Sequence, residues 1–125
     1  MSDLERNLAK AKKYLSRFIK DGALNHINGQ AMPADDGTTF ATYSPIDMTH
    51  LSHVAHGKDS DIAKAATAAQ AAFKSWSETD PKVRAHILHC IADHIEARAE
   101  EIAFVECMDT GQALRFMSKA AIRAA

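Results

Sequence analysis

PKVRAHILHCIADHIEARAEEIAFVECMDTGQ, residues 81–112, decides how this chain folds. Val83, Ile87, Ile91 and Ile95 recur every fourth residue, with Leu88 and Ala92 beside them. That spacing puts one broad apolar face on an α-helix. Asp80 and Pro81 supply a capping carboxylate and then a residue whose φ is preset for the first helical position. The apolar face resumes at Ile102 and runs through Phe104, Val105 and Met108 to Gly111, a residue type common just past a helix end. Two helices, or one bent helix, are expected here, laid against something large.

Upstream, Ser2-Asp3-Leu4-Glu5 has the form of a capping box. It predicts an amphipathic helix over residues 1–22, with Leu4, Leu8, Ala11, Leu15, Phe18 and Ile19 on one side, stopping near Gly22. Lys10, Lys12, Lys13, Arg17 and Lys20 cover much of the other side. Residues 24–57 change character. Leu24 to Gln30 reads as a short strand closed by Asn28-Gly29, a dipeptide suited to a hairpin turn. Ala34 to Gly37 is a loop, Thr38 to Tyr43 a strand ended by Pro45, and Leu51 to Ala55 a third strand. So few short strands must pack on helices. Asp59-Ser60-Asp61 opens the next helix, with Ile62, Ala66, Ala69, Phe73 and Trp76 on one face and seven alanines between Ala63 and Ala72. A last helical pattern, Leu114, Met117 and Ala121, runs to Ala125 with no stop signal, so the chain reads as cut off within an element.

Bulk properties narrow the class. A chain of 125 residues is at most one domain, and 46% hydrophobic with 25% charged residues is ordinary for a globular protein. The net charge is -1, so no global field recruits nucleic acid or anionic lipid. The basic face of the first helix has no stacking aromatics or reading motif, which favours a solvated face over a nucleic-acid site. No apolar run approaches a membrane span, and the N-terminus lacks the apolar core of a signal peptide. A cytoplasmic protein is expected. Cys90 and Cys107 match neither a zinc nor a redox spacing and are expected to be reduced, buried thiols.

Few residues are spaced for chemistry. His86, Cys90 and His94 share a helical stripe, but three ligands spread along two turns cannot all reach one ion. His50, His53 and His56 fall in a probable strand, where alternation sends neighbours to opposite faces, and read as surface histidines. Neither cysteine has a basic partner in an electropositive setting that would mark a nucleophile. The five glycines have no phosphate-loop spacing. Glu100-Glu101 lies in a first helical turn, a dipole position. From the residues alone, the chain is a helical piece with a small antiparallel sheet.

The order of short segments goes further. Ile27-Asn28-Gly29, Thr39-Phe40 through Pro45, Val54 to Gly57, Asp61-Ile62 with its alanine-rich helix ending in Phe73 and Trp76, Arg84 to Ile95, and Asp109-Thr110-Gly111 follow one another in a pattern. This pattern resembles the N-terminal quarter of the aldehyde dehydrogenase superfamily across residues 24–125. Within it, FVECMDTGQALRFMSKAA (104–121) looks most like the 5-carboxymethyl-2-hydroxymuconate or 2-hydroxymuconate semialdehyde dehydrogenases.

The resemblance implies an α/β fold: residues 1–22 an amphipathic helix, and residues 23–125 the mainly helical lead-in of a Rossmann-type cofactor domain with a two- to three-stranded antiparallel sheet. It implies a longer enzyme that oxidises an aldehyde through a thiohemiacetal on a catalytic cysteine, passes hydride to NAD or NADP, and works as a homo-oligomer. In the family, the catalytic and cofactor-binding residues lie downstream of the position of Ala125, so no such residue is expected here and the isolated chain is expected to be inactive. The resemblance carries one site onto this chain: carbonyl oxygens of Thr42 and Tyr43 and the carboxylate of Asp109 as ligands of a structural monovalent cation, for which hard oxygen donors are suited. Ser44-Pro45 replaces the common Asn-Pro, and Gln112 the common Lys. The residues alone equally allow Asp109 to bond to nearby backbone amides. An interaction module without catalysis is the alternative reading of the whole chain.

Overall fold

The computed structural model describes residues 2–124. Ala125 and the side chain of Ala121, expected on the inner face of the last helix, lie outside the described residues. Five helices, α1 (Asp3–Asp21), α2 (Asp59–Glu78), α3 (Pro81–Ala97), α4 (Ala99–Thr110) and α5 (Leu114–Ala124), surround four short strands, β1 (Asn25–Ile27), β2 (Gln30–Met32), β3 (Thr39–Tyr43) and β4 (His50–Ala55). No helix among the described residues is long and apolar enough to cross a membrane.

The strands form two separate antiparallel hairpins, β1–β2 and β3–β4, where a single small sheet of three strands was expected. The extra strand is β2. Asn28 and Gly29 both adopt positive φ, 53° and 74°, so the chain folds back at once and pairs Gln30–Met32 with Asn25–Ile27. Three residues, one of them glutamine, are too few to show an alternating pattern.

α1 begins as its capping box predicts: the Ser2 hydroxyl accepts the Glu5 amide at 3.3 Å, and the Glu5 carboxylate accepts the Ser2 amide at 2.6 Å. Its end is stitched to β4. The Ser52 hydroxyl donates to the Phe18 carbonyl at 2.8 Å, and Ala23 exchanges backbone bonds of 2.9 and 2.8 Å with His53 and Ala55. Along its length α1 lies on α4. Ala11 and Leu15 of α1, Leu51 of β4, Ala103 and Phe104 of α4 and Met117 of α5 are buried, and the Tyr14 and Phe104 rings sit 5.8 Å apart.

Part of the basic face of α1, read as solvated, instead grips the start of α4. Glu100 accepts Lys10 and the Tyr14 hydroxyl (2.8 Å), and Glu101 accepts Arg17 at 2.7 Å and both arms of the Arg98 fork at 2.9 and 3.0 Å. The Lys10 ammonium, then the Tyr14 hydroxyl, hold the Glu100 carboxyl below its ordinary value of 4.5. The Arg98 guanidinium does the same for Glu101. A carboxyl lowered by folding favours the folded state when ionised. The α1–α4 contact is therefore fully supported above 4.5 and weakens as pH falls through the lowered folded values. Amide-exchange protection of α1 is expected to drop in that acid window before that of α4. Equal loss in the two helices would contradict this.

α2 and α3 are placed differently. Asp61, 4% exposed, accepts the backbone amides of Asp35 (3.1 Å) and Lys58 (2.9 Å) and so ties the 33–37 loop to the start of α2. Beyond that anchor, the apolar row of α2 stands open, with Ile62 66% and Phe73 68% exposed. α3 is capped by the Asp80 carboxylate on the Lys82 amide at 2.7 Å, yet has no buried residue. Val83, Ile87, Leu88 and Ile91, the face whose period is strongest in the chain, lie on the surface. Both helices are shaped for burial that the described residues do not provide.

Candidate functional site

The end of α4 meets the turn after β3. Gly111 closes α4 in the left-handed region (φ 73°, ψ 6°), its amide donating to the Cys107 carbonyl at 3.0 Å. The Thr110 hydroxyl bonds back to Glu106 at 2.7 Å. On the opposite side, Ser44 is fully buried. Its amide donates to Thr49 and its carbonyl accepts from Met48, both at 2.9 Å, while its hydroxyl accepts the Ile46 amide at 3.3 Å. That hydroxyl does for the turn what an asparagine side chain can do. The amide and hydroxyl of Thr49 hold the nearby Asp47 carboxyl below the ordinary range.

Two contacts join these halves. The Thr42 hydroxyl donates to Asp109 Oδ1 at 3.3 Å. A Cβ on Gly111 would stand 3.0 Å from Cγ of Pro45, so the absence of a side chain is what lets the helix end approach the turn. Two segments 67 residues apart are thus brought together. Tyr43 lies beside them in the strand, its exposed ring turned edge-on to His50 at 5.6 Å. Asp109 receives the Thr42 hydroxyl rather than the backbone amides that the residues alone allowed. Thr42 and Asp109 also line a groove of about 610 Å³ between α1, β4 and α4, walled by Leu15, Phe18, Leu51 and Val54. The donor set at this junction is all oxygen, a carboxylate beside the end of a strand, which fits a hard monovalent cation better than a soft metal.

The other candidates stay apart. Cys90 and Cys107 are free thiols and half-buried, not fully buried as expected, because α3 and the outer side of α4 lack a covering layer among the described residues. The Cys90 sulfur lies 3.7 Å from His86 Nε2, and His94 Nδ1 lies 2.9 Å from the Cys90 carbonyl. Among the described residues no three His, Cys, Asp or Glu side chains gather for a metal. His53 and His56 are exposed, but His50 is half-buried, with its ring 4.7 Å from that of His53. A bulge explains it: Thr42 pairs with Ser52 and Tyr43 with His50, leaving Leu51 as an extra residue that breaks the alternation.

This layout is the mainly helical N-terminal region of a Rossmann-type enzyme fold, and 35% identity links it to a solved structure, HpcC from Thermus thermophilus. The two superpose with a TM-score of 0.90 over 94% of this chain and 23% of that one. The family model described as "Aldehyde dehydrogenase family" matches residues 32–125. The chain belongs to the aldehyde dehydrogenase family. It is 40% identical over 91 residues to the NADP/NAD-dependent aldehyde dehydrogenase PuuC of Escherichia coli K12, covering 71% of this chain and 18% of that protein. It is also similar to PnpE, solved in complex with nicotinamide adenine dinucleotide (31% identity, TM-score 0.75, 77% of this chain and 20% of that one). The chain thus spans about a fifth of the length of the curated relatives it matches.

Proposed function

We propose that residues 23–125 form the first part of the cofactor-binding domain of a cytoplasmic, homo-oligomeric, NAD(P)-dependent aldehyde dehydrogenase, with residues 1–22 as a helix laid across it. The observation that carries this reading is the match to the family model over residues 32–125. The open apolar rows of α2 and α3 support it, because a nucleotide-holding sheet would cover them. The nicotinamide would accept hydride from the bound aldehyde; the described residues supply the frame against which that domain packs. The wording of residues 104–121 favours a hydroxymuconic semialdehyde, from the breakdown of aromatic compounds, as substrate. In an enzyme carrying this chain at its N-terminus, reduced nicotinamide is expected to form faster from such a semialdehyde than from short aliphatic aldehydes. The isolated 125 residues are expected to form none. Turnover by the isolated chain would overturn the assignment, and a preference for aliphatic aldehydes would overturn the substrate.

In the same reading the carbonyls of Thr42 and Tyr43 and the carboxylate of Asp109 hold a structural monovalent cation that fastens β3 to the end of α4. Replacing potassium and sodium by a bulky organic cation is then expected to lower the melting temperature of the wild type and to leave Asp109→Asn unaffected. Identical responses in the two proteins would remove the cation from this turn.

A further inference from the structure

His86 and Cys90 stand one turn apart on α3 with Nε2 and Sγ 3.7 Å from each other. Zinc bonds of about 2.3 Å to sulfur and about 2.0–2.1 Å to nitrogen, opened to a tetrahedral angle, place those two atoms about 3.5 Å apart. The pair therefore already has the bite of a chelate. The helix holds it there: Asp80 caps α3, Pro81 presets its first turn, and both side chains hang on a hydrogen-bonded backbone. Among the described residues nothing covers the pair, since no residue of α3 is buried.

The geometry points to a surface site for a borderline divalent transition ion, zinc by preference, held by Cys90 Sγ and His86 Nε2 with the remaining positions taken by water. As the metal–sulfur bond forms, the Cys90 thiol gives its proton to solvent, while His86 binds through the Nε2 lone pair and keeps its proton on Nδ1. Binding thus strengthens as pH rises. His94 is not part of the chelate. Its Nδ1 sits 2.9 Å from the Cys90 carbonyl, which turns that nitrogen onto the backbone and away from the sulfur. The site is distinct from the oxygen-lined turn at Asp109, and softness separates the two: thiolate and imidazole select zinc, carboxylate and carbonyl select a hard ion.

Cobalt is the spectroscopic probe. Titrating Co2+ into the purified chain is expected to produce a sulfur-to-cobalt charge-transfer band that Zn2+ displaces. The band should vanish in Cys90→Ser and persist in Cys107→Ser, which removes the only other thiol in the chain. His86→Gln is expected to weaken binding about tenfold or more, and His94→Gln to leave it unchanged. Because these positions are not buried, circular dichroism should report the same helix content in every variant. As a second readout, Zn2+ should slow alkylation of Cys90 in the wild type but not in His86→Gln. A band that survives Cys90→Ser, equal cobalt affinity with and without His86, or no band at all would overturn the site.

Discussion

Phe104→Ala is expected to be the most damaging single change, destabilising the chain by about 3–5 kcal/mol. Phe104 is 6% exposed, beside Ala103, at the centre of the best-covered contact among the described residues, that of α1 with α4. The Tyr14 ring and the Lys10 ammonium both lie against it, at 5.8 and 5.9 Å from its centroid. Truncation leaves a cavity that α1, fixed at one end by Ser52 and at the other by the Glu100 and Glu101 pairs, cannot collapse to fill. Net stabilities of native domains run about 5–15 kcal/mol, so this loss is a large share of the total. Urea unfolding with an unchanged slope and a lower midpoint would report it. Phe116→Ala is the control: that ring is exposed, and its loss should move the midpoint little.

Gly111→Ala should cost about 1–3 kcal/mol, from two separable causes. One is backbone strain, because φ is 73°. The other is steric, because the new Cβ would meet Pro45 Cγ at 3.0 Å, an atom of a ring that cannot swing aside. Gly37 isolates the first cause: its φ is 70°, with no atom within 4 Å of a built Cβ. Gly37→Ala should therefore lose only the strain component. If the contact with the turn matters, Gly111→Ala will exceed Gly37→Ala, and Pro45→Ala will recover the difference in a double-mutant cycle. Equal losses at both glycines would show that the helix end and the turn are not pressed together in solution.

The helices were readable because their signals are local. A capping box at Ser2 and Glu5, Asp80 before Pro81, and Gly22 and Gly111 at positive φ each satisfy backbone groups within a few residues of themselves. The break between α3 and α4 was legible as two helices or one bent one, and Arg98 is where the two meet. Hydrophobic period identified which face of α3 is apolar, but not whether that face is buried. Burial depends on what lies opposite, and periodicity carries no record of that. The same limit hid β2, since a three-residue strand exists only through its partner. Leu51 was invisible as a bulge for the same reason, and with it the approach of His50 to His53.

At the candidate site, resemblance singled out Thr42, Tyr43 and Asp109, while composition and spacing pointed to none of them. What by itself the amino-acid sequence determined about this protein is its helix boundaries, its turn residues and, through the order of its short segments, its family. What only the tertiary structure decided is which distant groups meet: Thr42 with Asp109, Gly111 with Pro45, Lys10 and Arg17 with Glu100 and Glu101. Caps and turns close over a few residues and can be read in order along the chain. Contacts across 67 or 90 residues arise only after whole elements have packed, so no local pattern encodes them.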